Sequence, residues 1–262
     1  MDLDALAHEL LHAFNTGEMI PLPPSTRDPS FDLNSAYAVE NSFAHLRTSS
    51  GRAKVGRKVG YANKAMWRIL KLETLVWAHM YDDTVHCADG NDAAFSLAKL
   101  RAPKIEPEIV FKLKQPVTTG HALEDVEWMA IGFEIIDCPF PDWQFKPVDF
   151  VVAYGMHAGL VVGEPISAEA GMGEQLGTFK LRLLKNGQVV EEGSGKNSLR
   201  SPALCLAELA AAAQRQAPVE PLAAGELIST GTLTTAPLIA PGEVWSIELE
   251  GLPLPGLTLH LK

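Results

Sequence analysis

The segment Lys104-Ile105-Glu106-Pro107-Glu108-Ile109-Val110-Phe111 carries two carboxylates one residue apart. Side chains alternate across a β-strand, so Glu106 and Glu108 point the same way, about 6.5–7 Å apart along the chain. Ile105, Ile109, Phe111 and Leu113 fall on the opposite face and read as core. Neighbouring carboxylates repel and are costly to desolvate unless a cation or a proton lies between them. This Glu-x-Glu is therefore a candidate ligand pair for a hard divalent metal, and it points to an enzyme. The competing reading is a solvated strand face, with both glutamates paired to Lys104 and Lys112. A third carboxylate, Glu134, interrupts the apolar run Ala130-Ile-Gly-Phe-Glu-Ile-Ile136, and a buried carboxylate requires a partner. Glu106, Glu108 and Glu134 together would form an all-oxygen site, suited to Mg²⁺ or Mn²⁺ and poorly suited to zinc or copper.

The elements that must position these groups can be read from periodicity. Leu3, Leu6, Ala7, Leu10, Leu11 and Phe14 form one apolar helical face. Pro21 to Pro29 is a proline-rich loop, and a second helix starts near Asp32 or Asn34 and frays at Ser49-Ser50-Gly51. Residues 55–61 read as extended and 64–72 as helical. From about residue 104 short strands dominate. Phe179-Lys-Leu-Arg-Leu alternates and runs into Asn186-Gly187, whose residues tolerate positive φ at both positions of a hairpin turn. Ser201-Pro202 has the N-cap and first-turn arrangement of a helix reaching about Arg215. Regular βαβ alternation is missing, so the pattern is α+β with an antiparallel or mixed sheet. Residues 1–75 form a helical region packed on a β-rich body, 76–262, as one folded unit.

The 262 residues suffice for a large core, and 47% hydrophobic with 21% charged residues is ordinary for a globular protein. A net charge of −10 argues against nucleic-acid binding, and the basic cluster Arg52, Lys54, Arg57, Lys58 is too short to reverse that. Three cysteines without CxxC spacing argue against a disulfide framework or zinc knuckle and for reduced thiols. No signal peptide or long apolar segment is evident, so a cytoplasmic protein with no membrane partner is expected.

Four segments occur in the order found in the fumarylacetoacetate hydrolase superfamily: Gly56-Arg57-Lys58-Val59-Gly60, Pro103-Lys-Ile-Glu-Pro-Glu108, Phe133-Glu-Ile-Ile-Asp137 and Ser229-Thr-Gly231. The chain resembles the branch of 2-keto-4-pentenoate (2-hydroxypentadienoate) hydratases and 4-oxalocrotonate decarboxylases over essentially its full length. That resemblance implies a mixed β-sandwich roll with an N-terminal helical cap, and a homo-oligomer. It implies Mg²⁺ (or Mn²⁺) on Glu106, Glu108 and Glu134, and a substrate-facing Lys58, which by itself reads as a surface lysine in a basic run. Thr230 and Gly231 fall beside the substrate, a small 2-oxo or 2-hydroxy acid from aromatic-compound degradation. The reaction implied is hydration of a 2-hydroxy-dienoate or 2-oxo-4-alkenoate. The alternatives are decarboxylation of an oxalocrotonate-like diacid, C–C hydrolysis of an acylpyruvate, and a metal-stabilised binding protein without catalysis.

The chain departs from that branch in two places. His79, in Leu75-Val-Trp-Ala-His79-Met80, stands where the branch has an acid/base aspartate, with Asp82 close by as the alternative carboxylate. A histidine is competent in that role near neutral pH. In Tyr154-Gly-Met-His157, His157 stands where relatives have small polar residues; it is expected either to bind a substrate carboxylate or to be a hydrogen-bonded core histidine. The glycine-rich Glu192-Gly-Ser-Gly-Lys196-Asn197 lacks the full phosphate-loop spacing and reads as a loop near the site, with Lys196 toward substrate.

Overall fold

A computed structural model describes residues 1–117, 122–216 and 219–262. Helix α1 (Leu3–Thr16) starts at Asp2, whose carboxylate accepts the Asp4 and Ala5 N–H groups, and ends at Gly17 with φ 79°. A single turn, α2 (Pro24–Arg27), precedes α3 (Leu33–Ser49), which is capped by Asp32 through the Ser35 N–H. Then come β1 (Lys54–Gly60), α4 (Lys64–Leu70), β2 (Val76–Tyr81), β3 (Val85–Cys87), β4 (Asp92–Phe95), β5 (Lys104–Leu113) and β6 (Val126–Ile136). Helix α5 (Pro147–Val152) leads to β7 (His157–Val162), β8 (Ile166–Ser167), α6 (Gly173–Thr178), β9 (Lys180–Lys185) and β10 (Gln188–Ser194). The chain ends with α7 (Pro202–Arg215), β11 (Leu227–Ser229), β12 (Val244–Glu250) and β13 (Leu257–Leu261). Pro202 opens α7 as expected, but the Ser201 hydroxyl is buried without a partner and does not cap it.

The larger sheet has the order β2-β1-β11-β5-β6-β7-β3, with β8 on β6; the smaller has the order β10-β9-β12-β13-β4. In the larger sheet β1 is parallel to β11 and β3 to β7, and the other pairs are antiparallel, so the sheet is mixed. Its edge strands β2 and β3 are separated in sequence only by residues 82–84. Tyr81 and Val85 therefore lie at most about 14 Å apart. Seven strands laid flat would hold the edges about 29 Å apart, so the sheet curls into a roll. β9 and β10 form the expected hairpin, with positive φ at Asn186 (50°) and Gly187 (78°).

A continuous apolar core runs from Leu6 in α1 to Leu261 in β13. A smaller cluster, Met80, Val110, Ala130, Leu160 and Val162, fills part of the inner face of the roll. The first 75 residues contribute more than helices. β1 lies between β2 and β11 in the sheet, and it carries Lys58. All three cysteines are free. Among the described residues, no helix is long and apolar enough to cross a membrane.

Candidate active site

Strand register brings the acidic groups together. β5 pairs antiparallel with β6 so that Glu106 lies directly across from Glu134 and Glu108 across from Gly132. On the other side of β5, β11 places Ser229 opposite Val110, and β1 places Lys58 beside Ser229. Cross-strand partners share a face. Lys58, Ser229, Glu106, Glu108 and Glu134 therefore all project from the inner face of the roll, although they come from four strands. One oxygen from each of the three glutamates lies within 4.8 Å of the other two.

Glu134 and Glu108 are each held by partners of their own. Glu134 Oε2 is 3.1 Å from Lys58 Nζ, and its Oε1 is 2.8 Å from His157 Nδ1. His157 Nε2 is 3.0 Å from the Thr84 hydroxyl, which itself donates to the Tyr81 carbonyl. Glu108 Oε2 accepts hydrogen bonds from the Ser229 hydroxyl and from the Gly231 N–H at 2.8 Å. Its other oxygen is buried with no hydrogen-bond partner. Lys58 Nζ donates to the Gly155 carbonyl at 3.0 Å and lies 4.9 Å from the centre of the Phe150 ring. That carbonyl is presented by a tight turn in which Tyr154, Gly155 and Met156 all have positive φ. A Cβ on Gly155 would come within 2.7 Å of Lys58 Cδ, so the lysine stem passes where only glycine leaves room.

The electrostatics show how crowded the cluster is. Burial, then Glu134, hold Glu108 well above the usual carboxylate range, and burial pushes Glu106 up to about 7. Burial also works against the Glu134 carboxylate, but Lys58 and His157 outweigh it and hold that group below its ordinary value. Burial alone would lower Lys58, whereas the three glutamates raise it. One lysine thus cannot compensate three carboxylates, and two of them tend to keep protons. The unpartnered Glu108 oxygen and these raised carboxyls fit a divalent cation in the all-oxygen cluster, the pattern of a hard-metal site.

A cavity of about 500 Å³ opens beside Lys58 and Glu106. Tyr61, Phe150, Phe145 and Trp143 form a continuous aromatic wall in it, with successive ring centres 5.3, 6.4 and 6.3 Å apart. Phe150 is fixed because α5 is anchored: Asp149 accepts from the Lys146 N–H and from both the N–H and hydroxyl of Ser25. This wall is not read from the sequence. Its one signal is the aromatic and proline-rich stretch Pro139 to Phe150, which breaks up regular structure beside a motif strand.

Several sequence expectations change. His79 does not reach this cavity. It pairs with Arg57 across β1 and β2, one residue out of step with the Lys58–Ala78 pair, so it projects to the opposite face. There Nδ1 is 2.7 Å from Glu40 and Nε2 is 3.0 Å from Glu220, and His79 lines a different cavity with Arg57, Lys54 and Glu226. Asp82 is exposed just beyond β2 and does not line this cavity either. His157 contacts Glu134 and does not line this cavity. Lys196 is exposed and does not line the cavity, whereas its neighbour Asn197 does. The glycines of that loop serve close packing: a Cβ on Gly193 would lie 2.2 Å from the Leu233 carbonyl, and one on Gly195 1.9 Å from that of Leu176. The Thr230 hydroxyl is spent on the Ile109 carbonyl. Gly231 does line the cavity.

Residues 55–255 match the fumarylacetoacetate (FAA) hydrolase C-terminal family, and the chain belongs to it. A 2-keto-4-pentenoate hydratase of Paraburkholderia xenovorans (strain LB400) is 30% identical over 254 residues, covering 94% of this chain and 90% of the relative. A 4-oxalocrotonate decarboxylase of a Pseudomonas species is 28% identical over 256 residues, 96% of each chain. Among solved structures, 4-oxalocrotonate decarboxylase from Pseudomonas putida G7, complexed with magnesium and adipate, superposes with a TM-score of 0.87 at 25% identity, covering 99% of this chain and 97% of that one.

Proposed function

We propose that this chain is a divalent-metal-dependent lyase acting on a small 2-oxo acid or its enol, with hydration of a 2-hydroxy-dienoate or 2-oxo-4-alkenoate as the reaction. The observation that carries the reading is the convergence of Glu106, Glu108 and Glu134 beside Lys58 at the end of an aromatic-lined cavity. The three glutamates would hold Mg²⁺ or Mn²⁺. When bound, such an ion supplies electrophilic stabilisation to the enolate of a 2-oxo acid.

The chain's own groups do the remaining work. Lys58 Nζ, raised and buried, is the charged donor at the cavity floor; it can deliver or take a proton there and steady developing negative charge. The Gly155 carbonyl and Glu134 fix its direction. Ser229 and Gly231 hold Glu108, and His157, backed by Thr84, holds Glu134. The aromatic wall from Tyr61 to Trp143 excludes water from one side of a bound hydrocarbon tail. A homo-oligomeric, cytoplasmic enzyme belongs to the same proposal, and light scattering on the purified chain tests the assembly.

Decarboxylation of a 2-oxo diacid is the second reading, favoured by the relatives of that name, one of which superposes so closely. C–C hydrolysis drew its support from His79, which faces away from this cavity. A purely binding role drew its support from the loss of the aspartate; Lys58 remains at the cavity.

The test is to incubate the protein with Mg²⁺ and 2-hydroxypenta-2,4-dienoate and follow the dienol absorbance. The proposal expects EDTA-sensitive loss of the dienol with a 4-hydroxy-2-oxo acid as product. Release of CO₂ from 2-hydroxymuconate, with the dienoate untouched, would favour decarboxylation instead.

A further inference from the structure

The face of β1 and β2 that carries Arg57 and His79 opens on a second cavity, of about 730 Å³. Residues 220–226 form one side of it and lead straight into β11, whose Ser229 holds Glu108. Three basic side chains tie this segment to the sheet. Arg57 donates to the Glu220 and Pro221 carbonyls at 2.6 and 3.3 Å and pairs with Glu226 at 3.3 Å. Lys54 Nζ is 3.2 Å from Glu220 Oε2, and His79 Nε2 is 3.0 Å from the same oxygen. Of the three, only histidine changes charge near neutral pH.

The groups around His79 come from five places: Glu40 and Tyr37 on α3, Lys54 and Arg57 on β1, Tyr81 on β2 itself, Lys112 on β5, and Glu220 and Glu226 in the segment. Both ring nitrogens face carboxylates, Nδ1 at 2.7 Å from Glu40 and Nε2 at 3.0 Å from Glu220. An ionised carboxylate only accepts, so the arrangement is complete when both nitrogens carry protons. His79 outweighs burial to keep Glu40 below its ordinary value, and its hydrogen bond takes Glu220 down to about 2.

The two carboxylates are unequal. Glu40 is buried and also accepts the His79 backbone N–H, so it has no water to turn to if the ring leaves it. Glu220 is 32% exposed and can be solvated where it stands. When the ring gives up one proton, the remaining proton stays toward Glu40, and the Nε2 lone pair is left facing Glu220. Lys54, itself 32% exposed, holds Glu220 only weakly.

We propose that His79 is a proton-operated clasp: as imidazolium it ties Glu220, and with it residues 220–226, against β1 and β2, and loss of the Nε2 proton frees the Glu220 carboxylate and loosens the segment.

Two measurements on the full chain with Mg²⁺ present test this: amide exchange by mass spectrometry, corrected for the intrinsic rate, and histidine-ring NMR. Protection in 220–226 is expected to fall at least about threefold between about pH 6 and about pH 10, with the midpoint of the His79 ring titration and no matching fall in β5 and β6. In Glu220→Gln the segment is expected to show the lower protection already at about pH 6 without a pH step, and the His79 midpoint to drop by at least about half a unit. In Lys54→Gln the step is expected to persist. Protection of the segment that does not change with pH in the unaltered chain overturns the proposal, as does an equal fall in β5 and β6. A His79 midpoint unmoved in Glu220→Gln, or a step abolished in Lys54→Gln, overturns the assignment of the clasp to the His79–Glu220 contact.

Discussion

Lys58 is the residue whose role changes most between sequence and structure. In the sequence it sits in a basic run, and only resemblance to a family makes it more than a surface lysine. In the fold it is 2% exposed, ion-paired to Glu134 and hydrogen-bonded to Gly155. Lys58→Ala should lower kcat by roughly a hundredfold or more, the scale of a lost proton-transfer group. Because it also strips a buried carboxylate of its partner, it should destabilise the ion-free protein. Mn²⁺ should restore more thermal stability to this variant than to the unaltered chain, since the cation replaces the missing positive charge. Thermal melts with and without Mn²⁺, alongside steady-state rates, check both; full activity in the variant would remove Lys58 from the mechanism. The three glutamates were legible because a charged residue inside an apolar strand is conspicuous. His157 was legible as a site-facing segment, but not in its role, because nothing in the sequence shows that its ring turns to Glu134.

At the scale of the element, the face of a strand decides what its residues can do. Lys58 and Ala78 share one face of the β1–β2 pair, Arg57 and His79 the other. Matching His79 to the aspartate of the relatives put it at the reacting centre; one step of strand period puts it on the opposite side of the sheet. Periodicity marked β5, β6 and the β9–β10 hairpin well, since each has a clean alternation or a turn signature. It could not show that β11 lies between β1 and β5, because that pairing joins residues far apart in the chain. The consequence is concentrated in the turn after β11. Gly231 has φ 88°, its N–H holds Glu108, and a Cβ there would lie 2.7 Å from that of Ala62. Gly231→Ala should cost about 1–2 kcal/mol for the left-handed conformation. It should also weaken divalent-ion binding by displacing the N–H from Glu108. Urea denaturation and Mn²⁺ titration test this; unchanged ion affinity would separate the turn from the site.

For the whole molecule, curling of the larger sheet explains why so many ionisable groups are buried near one another, and it sets a pH dependence with a definite sign. Glu106 and Glu108 have raised folded-state values, so above the ordinary carboxylate value of 4.5 the unfolded chain releases protons that the ion-free fold retains. Stability then falls as pH rises, through about 7 for Glu106 and further for Glu108. His79 is raised by Glu40 and Glu220 against the effect of burial; its contribution is complete below its ordinary 6.5 and is lost as pH climbs through its folded value. Glu220, lowered to about 2 chiefly by its hydrogen bond to His79, is partly exposed and adds a modest contribution present above 4.5 and lost toward 2. The melting temperature of the EDTA-treated chain should therefore peak near pH 5 and decline toward pH 8, and Mg²⁺ should flatten the alkaline decline, because binding requires the deprotonated ligands. A melting temperature that rises from pH 5 to 8 in EDTA would contradict this charge balance.

Three inward-facing glutamates forming one divalent-ion site is the arrangement on which the proposed chemistry depends. Calorimetric titration of Mn²⁺ at pH 8 into the unaltered chain and into Glu106→Ala measures it. Glu106 is the half-buried member of the three, so its replacement is the least disruptive to the fold. One Mn²⁺ per chain, with binding lost in the variant, is the predicted result. Mn²⁺ affinity unchanged by the substitution would contradict it.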